Sequence, residues 1–258
     1  MRSVVIILVS AALFAGFLAA CRPDRQEEPG QAPEKPAQES TPTRPGDNLL
    51  LNPSFENDSP DPWFDMSQMN PRQWGVFAIS AERAHSGERS ALLELDSGVS
   101  AESTRVLGAV QELGGVACPE RLSGWYFVEG WERAAEKQYL QVAVIAHGGP
   151  MPSGLTATSY QVAQTLAGVT ENPLPALRNR RFVVSGPPEP VEGEWVWFEI
   201  ELAQLFEEHW GRVPGADGSL RVFFEVRYDD RDRERAGRAR VWFDDLYLGP
   251  DSRAPDPG

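Results

Sequence analysis

The stretch Trp195-Val-Trp-Phe-Glu-Ile-Glu-Leu202 places an apolar side chain at every second position. Successive side chains of a β-strand point to opposite faces of a sheet, so this period predicts a strand with one face in the core. We expect the even-numbered residues to face the core. The residues expected on the opposite face are Trp195, Trp197, Glu199 and Glu201.

The stretch Leu220-Arg-Val-Phe-Phe-Glu-Val-Arg-Tyr228 has the same period. Its even-numbered residues are predicted to form the core face. Each of the two strands therefore offers an aromatic ring and charged groups away from the core. The sequence leaves open whether the two strands are neighbours. The outward residues of the second strand are Arg221, Phe223, Glu225 and Arg227.

Short apolar runs separated by Gly, Pro and Asp continue from Asn48 to Gly249, and roughly 200 residues can form one all-β domain. The lengths of the runs and the turn signals between them favour a β-sandwich. We predict strands at residues 49–56, 74–80, 88–96, 103–113, 121–129, 139–147, 181–185, 194–202, 220–228 and 239–248.

Two segments have the composition of short helices, residues 159–168 and residues 203–210, with Gly as the C-terminal stop. The connection from His147 to Arg181 is long for a sandwich and rich in Gly and Pro. A connection of this length is usually a binding loop or lid, or else mobile.

Residues 22–47 contain no aromatic and no branched aliphatic residue, and Pro recurs every few positions. Such a segment cannot bury enough apolar surface to order itself. We therefore predict a disordered linker over residues 21–47, a β-sandwich domain over residues 48–249, and a disordered tail over residues 250–258.

The N-terminus has one positive charge, Arg2, followed by an apolar run from Val4 to Ala20. This plan is typical of a secretory signal peptide covering residues 1–20. The alternative is a transmembrane anchor, but the run is slightly shorter than the roughly 20 apolar residues that a spanning helix needs.

The run ends in Leu18-Ala-Ala-Cys21, which resembles the lipobox of bacterial lipoproteins. The resemblance implies cleavage before Cys21 and attachment of diacylglycerol to that cysteine, with acyl chains such as palmitate holding the protein on a membrane. It implies a lipid-anchored protein of the bacterial cell envelope. Arg22, rather than Asp, follows the cysteine, which implies the outer membrane in a Gram-negative cell.

Charge and cysteine content exclude some classes of protein. The formal net charge is -14, which argues against a nucleic-acid partner because phosphate binding needs clustered Lys and Arg. The chain has two cysteines, Cys21 and Cys118. If the first carries lipid, no internal disulfide can form, and we expect Cys118 to be a small buried hydrophobic residue.

Four stretches occur in an order that resembles carbohydrate-binding modules of the family 4/9 and 22 type, whose fold is the galactose-binding-like jelly roll. The resemblance implies a jelly-roll β-sandwich, and a glycan as the ligand. The stretches are Asn48-Leu-Leu-Leu-Asn-Pro-Ser-Phe-Glu56, Ala84-His-Ser-Gly-Glu-Arg-Ser-Ala-Leu-Leu93, Leu122-Ser-Gly-Trp-Tyr-Phe-Val128 and Val241-Trp-Phe-Asp-Asp-Leu-Tyr-Leu248.

In modules of this kind a structural calcium ion commonly ties the first strand to the last. Carried over, its ligands would be Glu56, a carbonyl near Gly87 to Arg89, and Asp244, with Asp245 as the alternate. Ca²⁺ prefers six to eight oxygen ligands, which suits this set. The alternative is that Glu56 and Asp244 only bond to backbone. A second acidic run, residues 229–234, is interpreted as a solvated hairpin turn.

Sugar binding needs aromatic rings that stack on pyranose faces, with carboxylate, amide or guanidinium groups nearby for the hydroxyls. Trp74 and Trp195 are expected to pack structurally, whereas Trp63 and Trp210 lie in predicted loops and are weaker candidates. The candidate ligand-binding residues are Trp197, Glu199, Phe223, Glu225, Arg227, Tyr139, Gln141 and Trp131.

No catalytic motif is present: no serine lies in G-x-S-x-G, and no phosphate-binding glycine loop occurs. We therefore expect a non-catalytic, membrane-anchored domain that binds a glycan. The main alternative is an envelope lipoprotein whose β-sandwich binds another protein. A glycan-active enzyme is the third hypothesis, because a pair of carboxylates can be recognised only by its separation in space.

Overall fold

A computed structural model describes residues 47–66, 76–96, 105–229 and 235–253. The predicted signal peptide, Cys21, most of the linker, Trp74 and residues 230–234 lie outside these ranges. Within the described ranges, no helix combines the length and the apolar character needed to span a membrane.

The described chain forms two sheets. The six-stranded sheet has the order β1-β4-β10-β6-β7-β8, and the five-stranded sheet has the order β2-β3-β11-β5-β9. The predicted β-sandwich is confirmed. The elements are β1 (Phe64–Asp65), β2 (Val76–Ser80), β3 (Ser90–Asp96), β4 (Arg105–Gly114), β5 (Arg121–Glu132), β6 (Lys137–Gly148), β7 (Ser159–Ala167), β8 (Arg180–Val184), β9 (Trp195–Glu201), α1 (Leu202–Trp210), β10 (Gly218–Asp229) and β11 (Arg238–Gly249).

The core lies between the sheets, and the two alternating stretches fill it as predicted. The even-numbered residues of Leu220–Tyr228 are buried in it, as are Phe198 and Ile200 of β9. Phe224 stands at the centre, with its ring centroid 4.3 Å from that of Phe243 and 5.4 Å from that of Trp63. Contacts of this kind fix the two sheets face to face.

Trp63 is a core residue and does not contact a ligand surface, contrary to its candidacy from the sequence. Its side chain is 1 % exposed, and its indole N–H donates to the carbonyls of Leu51 and Asn52 at 3.1 and 3.2 Å. The short strand β1 follows it directly, and the sequence pattern did not predict that strand.

The predicted strand at residues 49–56 is not formed. Side-chain amides take the place of a neighbouring strand: Gln111 both donates to and accepts from the backbone of Leu51, and Asn48 Oδ1 accepts from Leu50 and Leu248. Asn52 and Phe55 have φ of 48° and 55°, outside the extended region. The apolar run is therefore buried as an irregular segment.

The predicted helix at residues 159–168 is wrong, because these residues form strand β7. It pairs antiparallel with β6 and parallel with β8, so long-range partners outweigh the local helical pattern. The long connection from His147 to Arg181 thus contributes a strand to the sheet. The second predicted helix is confirmed as α1, ended by Gly211 in the left-handed conformation.

We predict that Phe224→Ala lowers the free energy of unfolding by about 3–5 kcal/mol, because it leaves a cavity among Phe55, Trp63 and Phe243. Urea unfolding of the unlipidated mature chain measures the change. The control is Val191→Ala, at a side chain 42 % exposed, which should change stability by less than about 0.5 kcal/mol. Equal losses for both variants would contradict this core assignment.

Candidate ligand-binding sites

The structure separates the predicted ligand-binding residues into two groups. Trp197 and Glu199 lie on the outer face of the five-stranded sheet, through β9. Trp131 lies at the end of β5, where its indole N–H donates to Glu189 at 3.0 Å, so it joins neither group. The remaining residues lie on the outer face of the six-stranded sheet: Tyr139, Gln141, Phe223, Glu225 and Arg227.

The group on the six-stranded sheet is brought together by strand register. In the pairing of β10 with β6, Glu225 lies opposite Gln141 and Arg227 lies opposite Tyr139. Strand β8 adds a guanidinium group to the same face. We call this set the buried polar cluster; its members are Tyr139, Gln141, Arg180, Glu225, Arg227 and Asp229.

One half of the buried polar cluster is held together by hydrogen bonds and an ion pair. Arg227 donates to both carboxylate oxygens of Asp229, from Nε at 2.9 Å and from Nη2 at 3.0 Å. The Tyr139 hydroxyl donates to the same carboxylate at 3.3 Å. This bidentate pairing fixes Arg227 and Asp229 in one geometry.

The other half is only partly satisfied. Gln141 Nε2 donates to Glu225 Oε1, and Arg180 Nη1 lies 3.7 Å from the same oxygen, too far for a hydrogen bond. Within the described chain, four buried polar atoms of this half lack a hydrogen-bond partner: Gln141 Oε1, Glu225 Oε2, and Nε and Nη1 of Arg180.

Burial works against both charges of this half. Burial raises the pKa of Glu225, against the effect of the nearby Arg180 and Arg227, which lower it. Burial lowers the pKa of Arg180, while the charge of Glu225 raises it. Each group thus partly offsets the cost of burying the other's charge, since an isolated charge is expensive to bury.

The sequence pattern does not single out Arg180. It lies two residues before the short apolar run Phe182-Val-Val184, and it faces the cluster because Arg180 pairs in register with Gln161 of β7. Its guanidinium carbon lies 5.4 Å from the ring centroid of Phe182 and 5.8 Å from that of Phe223. Only the parallel pairing of β7 and β8 brings it there, and that pairing has no local signal.

The outer face of the five-stranded sheet has a different chemistry. A cleft of about 490 Å³ opens there, and it includes Trp197. Glu199 lies beside it and accepts from Arg121 at 2.9 Å and from the Ser252 hydroxyl at 2.9 Å. The tail residues Ser252 and Arg253 thus contact the domain, although the sequence composition placed them in a disordered tail.

The residues expected to bind calcium are hydrogen-bonded to backbone amides. Glu56 Oε1 accepts from the N–H groups of Glu88 and Arg89, both at 3.0 Å. Asp244 Oδ2 accepts from His85 and Ser86 at 2.7 and 3.2 Å, as the alternative interpretation expects. Burial, together with the charge of the adjacent Asp245, raises the pKa of Asp244 to about 7.

Amide N–H groups repel a cation, so this donor set does not fit calcium in the described geometry. In the described ranges, no three His, Cys, Asp or Glu side chains are grouped to hold a metal ion. Calcium binding stays a prediction, which a melting experiment can test. Cys118 is buried, as expected, and burial raises the pKa of its thiol, which makes it unreactive.

Comparisons with known proteins found solved structures that are similar to this chain. No protein-family model and no curated protein matches the chain. Among solved structures, the family 61 carbohydrate-binding module TmCBM61, in complex with β-1,4-galactotriose, is 16 % identical with a TM-score of 0.41; the match covers 80 % of this chain and 100 % of that chain.

A family 16 carbohydrate-binding module is 15 % identical with a TM-score of 0.41, over 78 % of this chain and 99 % of that one. The CBM22-1 xylan-binding domain of Paenibacillus barcinonensis Xyn10C is 15 % identical with a TM-score of 0.40, over 81 % and 99 %. The resemblance expected from the sequence motifs thus has a counterpart among solved structures, at low similarity.

A melting experiment decides the calcium prediction. If calcium binds through Glu56, excess calcium raises the melting temperature of the wild-type chain above its value in chelator, since a ligand at about 100 times its Kd adds roughly 2.7 kcal/mol. Glu56→Gln abolishes the rise, whereas the neighbouring Glu88→Gln keeps it. Identical melting temperatures of the wild type in calcium and in chelator would contradict calcium binding.

Proposed function

We propose that this protein is a lipid-anchored, non-catalytic glycan-binding protein of a bacterial cell envelope, and that a sugar binds at the buried polar cluster. The observation that carries the proposal is the set of four buried polar atoms of Gln141, Arg180 and Glu225 without a hydrogen-bond partner.

Unpaired buried polar atoms are costly. Each costs about 1–3 kcal/mol, and native structures contain few of them, so such a set calls for a physical reason. A hydroxyl-bearing ligand supplies both the missing donor and the missing acceptor. Its hydroxyls can donate to Glu225 Oε2 and Gln141 Oε1 and accept from Arg180. Phe182 and Phe223 lie beside these groups and offer apolar ring surface to the face of a sugar.

Entry of a ligand requires a local opening, because Glu225 is 1 % exposed and Gln141 is fully buried. Strand β8 is the element suited to open. Among the described strands it lies at the edge of its sheet and pairs with β7 alone, and all five of its residues are partly exposed. Edge elements with few buried contacts open at lower free energy than central strands.

Binding without catalysis is proposed because only one carboxylate of the cluster has an oxygen without a partner. Asp229 holds Arg227 through both oxygens, whereas Glu225 Oε2 is unpaired. Glycoside hydrolysis needs one carboxyl group free to protonate the leaving oxygen and a second free to act as base or nucleophile. The cluster is better suited to hold hydroxyl groups.

Glycan binding is tested on the unlipidated mature chain, residues 22–258, with a glycan array followed by calorimetry. Glu225→Gln weakens binding of at least one retained glycan about 10-fold or more, because the carboxylate that accepts from its hydroxyl is lost. The control is Glu94→Gln, at a carboxylate paired with Arg240 on the other sheet.

Folding of the variants is controlled separately. Glu225→Gln leaves Arg180 buried without its partner, so the double variant Arg180→Met/Glu225→Met is included, because replacing both members of a buried ion pair by apolar groups is often neutral for stability. It should melt near the wild type and bind no glycan at this site. Absence of any glycan signal for the wild type, with one protein partner recovered, would replace this proposal by protein binding.

The anchor rests on Leu18-Ala-Ala-Cys21 at the end of an apolar run. We predict that Cys21→Ser moves the protein from the membrane fraction to the soluble fraction, because each buried methylene of an acyl chain adds about 0.8 kcal/mol. Cys118→Ala, which removes the buried cysteine, leaves the membrane fraction unchanged. A wild-type chain that retains residues 1–20 or carries no lipid by mass spectrometry would contradict the anchor.

A further inference from the structure

The outer face of the five-stranded sheet carries a row of aromatic residues that the proposed function does not use. Strands β5 and β9 pair so that Trp125 lies opposite Trp197, and Phe127 lies opposite Trp195. Trp242 of β11 lies opposite Phe127 on its other side. Five large rings thus share one face that points away from the core.

One half of this aromatic face is sealed by arginines. The Arg83 guanidinium carbon lies 4.5 Å from the ring centroid of Phe127, and that of Arg240 lies 4.7 Å from the Trp242 ring. Each arginine is also paired with a carboxylate, Arg83 with Glu129 and Arg240 with Glu82, both at 2.8 Å. This half is closed by its own side chains.

The other half is open. We call it the open cleft, and its volume of about 490 Å³ lies in the range of small-ligand sites. Aromatic rings form its floor, and a few polar groups form its rim, which is the composition expected of such sites. The lining residues used here are Trp125, Trp197, Tyr247, Asp47, Asp245 and Arg253.

The aromatic floor is held rigidly. The His85 ring stacks on Trp125 at 4.1 Å between centroids and 16° between planes, and Trp197 meets Trp125 at 5.3 Å and 60°. Both tryptophans are partly exposed. Two inclined ring systems therefore stand at fixed positions before any ligand arrives, which reduces the ordering cost of binding.

The charged groups of the rim are already hydrogen-bonded. Asp47 pairs with Arg253 at 2.8 Å and accepts from the Tyr247 hydroxyl at 2.9 Å. Asp245 accepts from the hydroxyls of Ser54 and Ser86 at 2.9 and 2.7 Å, and its other oxygen lies 2.7 Å from His85 Nδ1. The charged residues that line the cleft are two acids, Asp47 and Asp245, and one base, Arg253, so the rim offers fixed hydrogen-bonding groups and disfavours an anionic ligand.

We infer that the open cleft is a second ligand site, separate from the buried polar cluster, and that it takes a neutral sugar ring stacked on its tryptophans. A neutral polyhydroxylated ring matches both features of the cleft. Its apolar face covers an indole, and its hydroxyls reach donors and acceptors that are fixed in place. An anionic ligand would instead meet the carboxylates of Asp47 and Asp245.

The test uses the unlipidated mature chain with ¹⁵N-labelled indole groups, titrated with three neutral trisaccharides as probes: galactotriose, xylotriose and cellotriose. The indole N–H signals of Trp125 and Trp197 should shift and saturate with at least one probe. Trp197→Ala should weaken that binding about 10-fold or more through the lost stacking and buried area. Trigalacturonate, the charged probe, should bind more weakly.

Two control variants separate this site from the proposed one. Trp131→Phe, at a tryptophan outside the cleft, should leave the titration unchanged. The double variant Arg180→Met/Glu225→Met should also keep the shifts of Trp125 and Trp197, because the cluster lies on the other sheet. Any glycan-array signal that this double variant loses would therefore test binding at the buried polar cluster and not at the open cleft.

Two results would overturn the inference. One is that no probe shifts the signals of Trp125 and Trp197. This result would leave the glycan-array test of the buried polar cluster unaffected. The other is that Trp197→Ala binds every probe as tightly as the wild type. Tighter binding of trigalacturonate than of galactotriose would reject a neutral ligand.

Discussion

The pairing of β10 with β4 and β6 is the interaction on which the rest of the structure depends. β10 is central in its sheet, and its register with both neighbours holds over almost its whole length. Because side chains alternate along a strand, this register places Phe224 in the core and Glu225 on the outer face. A shift by one residue would exchange them, which would bury an unpaired carboxylate between the sheets.

The same constraint explains why the buried polar cluster can persist. Its half-satisfied groups oppose folding, but they are attached to strands whose other face is packed in the core. Phe224 contacts Phe55, Trp63 and Phe243 through its ring, and the next residue of the strand is Glu225. Stability gained on one face of β10 therefore maintains a costly arrangement on the other, as is common at binding sites.

Sequence alone could predict whatever depends on local periodicity. The core faces of β9 and β10 follow from a period of two, and α1 follows from its composition and Gly211. Pairing over long distances could not be predicted. The parallel neighbour β8 turns residues 159–167 into a strand and brings Arg180 to the cluster, and no residue near Arg180 in the sequence indicates this.

The candidate sites show the same contrast between what local periodicity predicts and what depends on strand order. Alternation correctly placed Trp197 and Glu225 on outward faces, but strand order puts these faces on different sheets. The apolar residues of the stretch 49–56 predict a strand. In the structure the amides of Asn48 and Gln111 bond to this backbone, and side chains that replace a ladder cannot be recognised from periodicity.

The two ends of the domain have a role that the sequence did not suggest. Asp47 precedes the predicted sandwich and Arg253 follows it, yet the two residues pair with each other at the rim of the open cleft. The Arg253 guanidinium carbon also lies 4.6 Å from the Tyr247 ring. Residues 48–249 contain every described strand of both sheets but not these two polar groups of the open cleft. The residues that form the sheets therefore span a shorter range than the residues that line the open cleft.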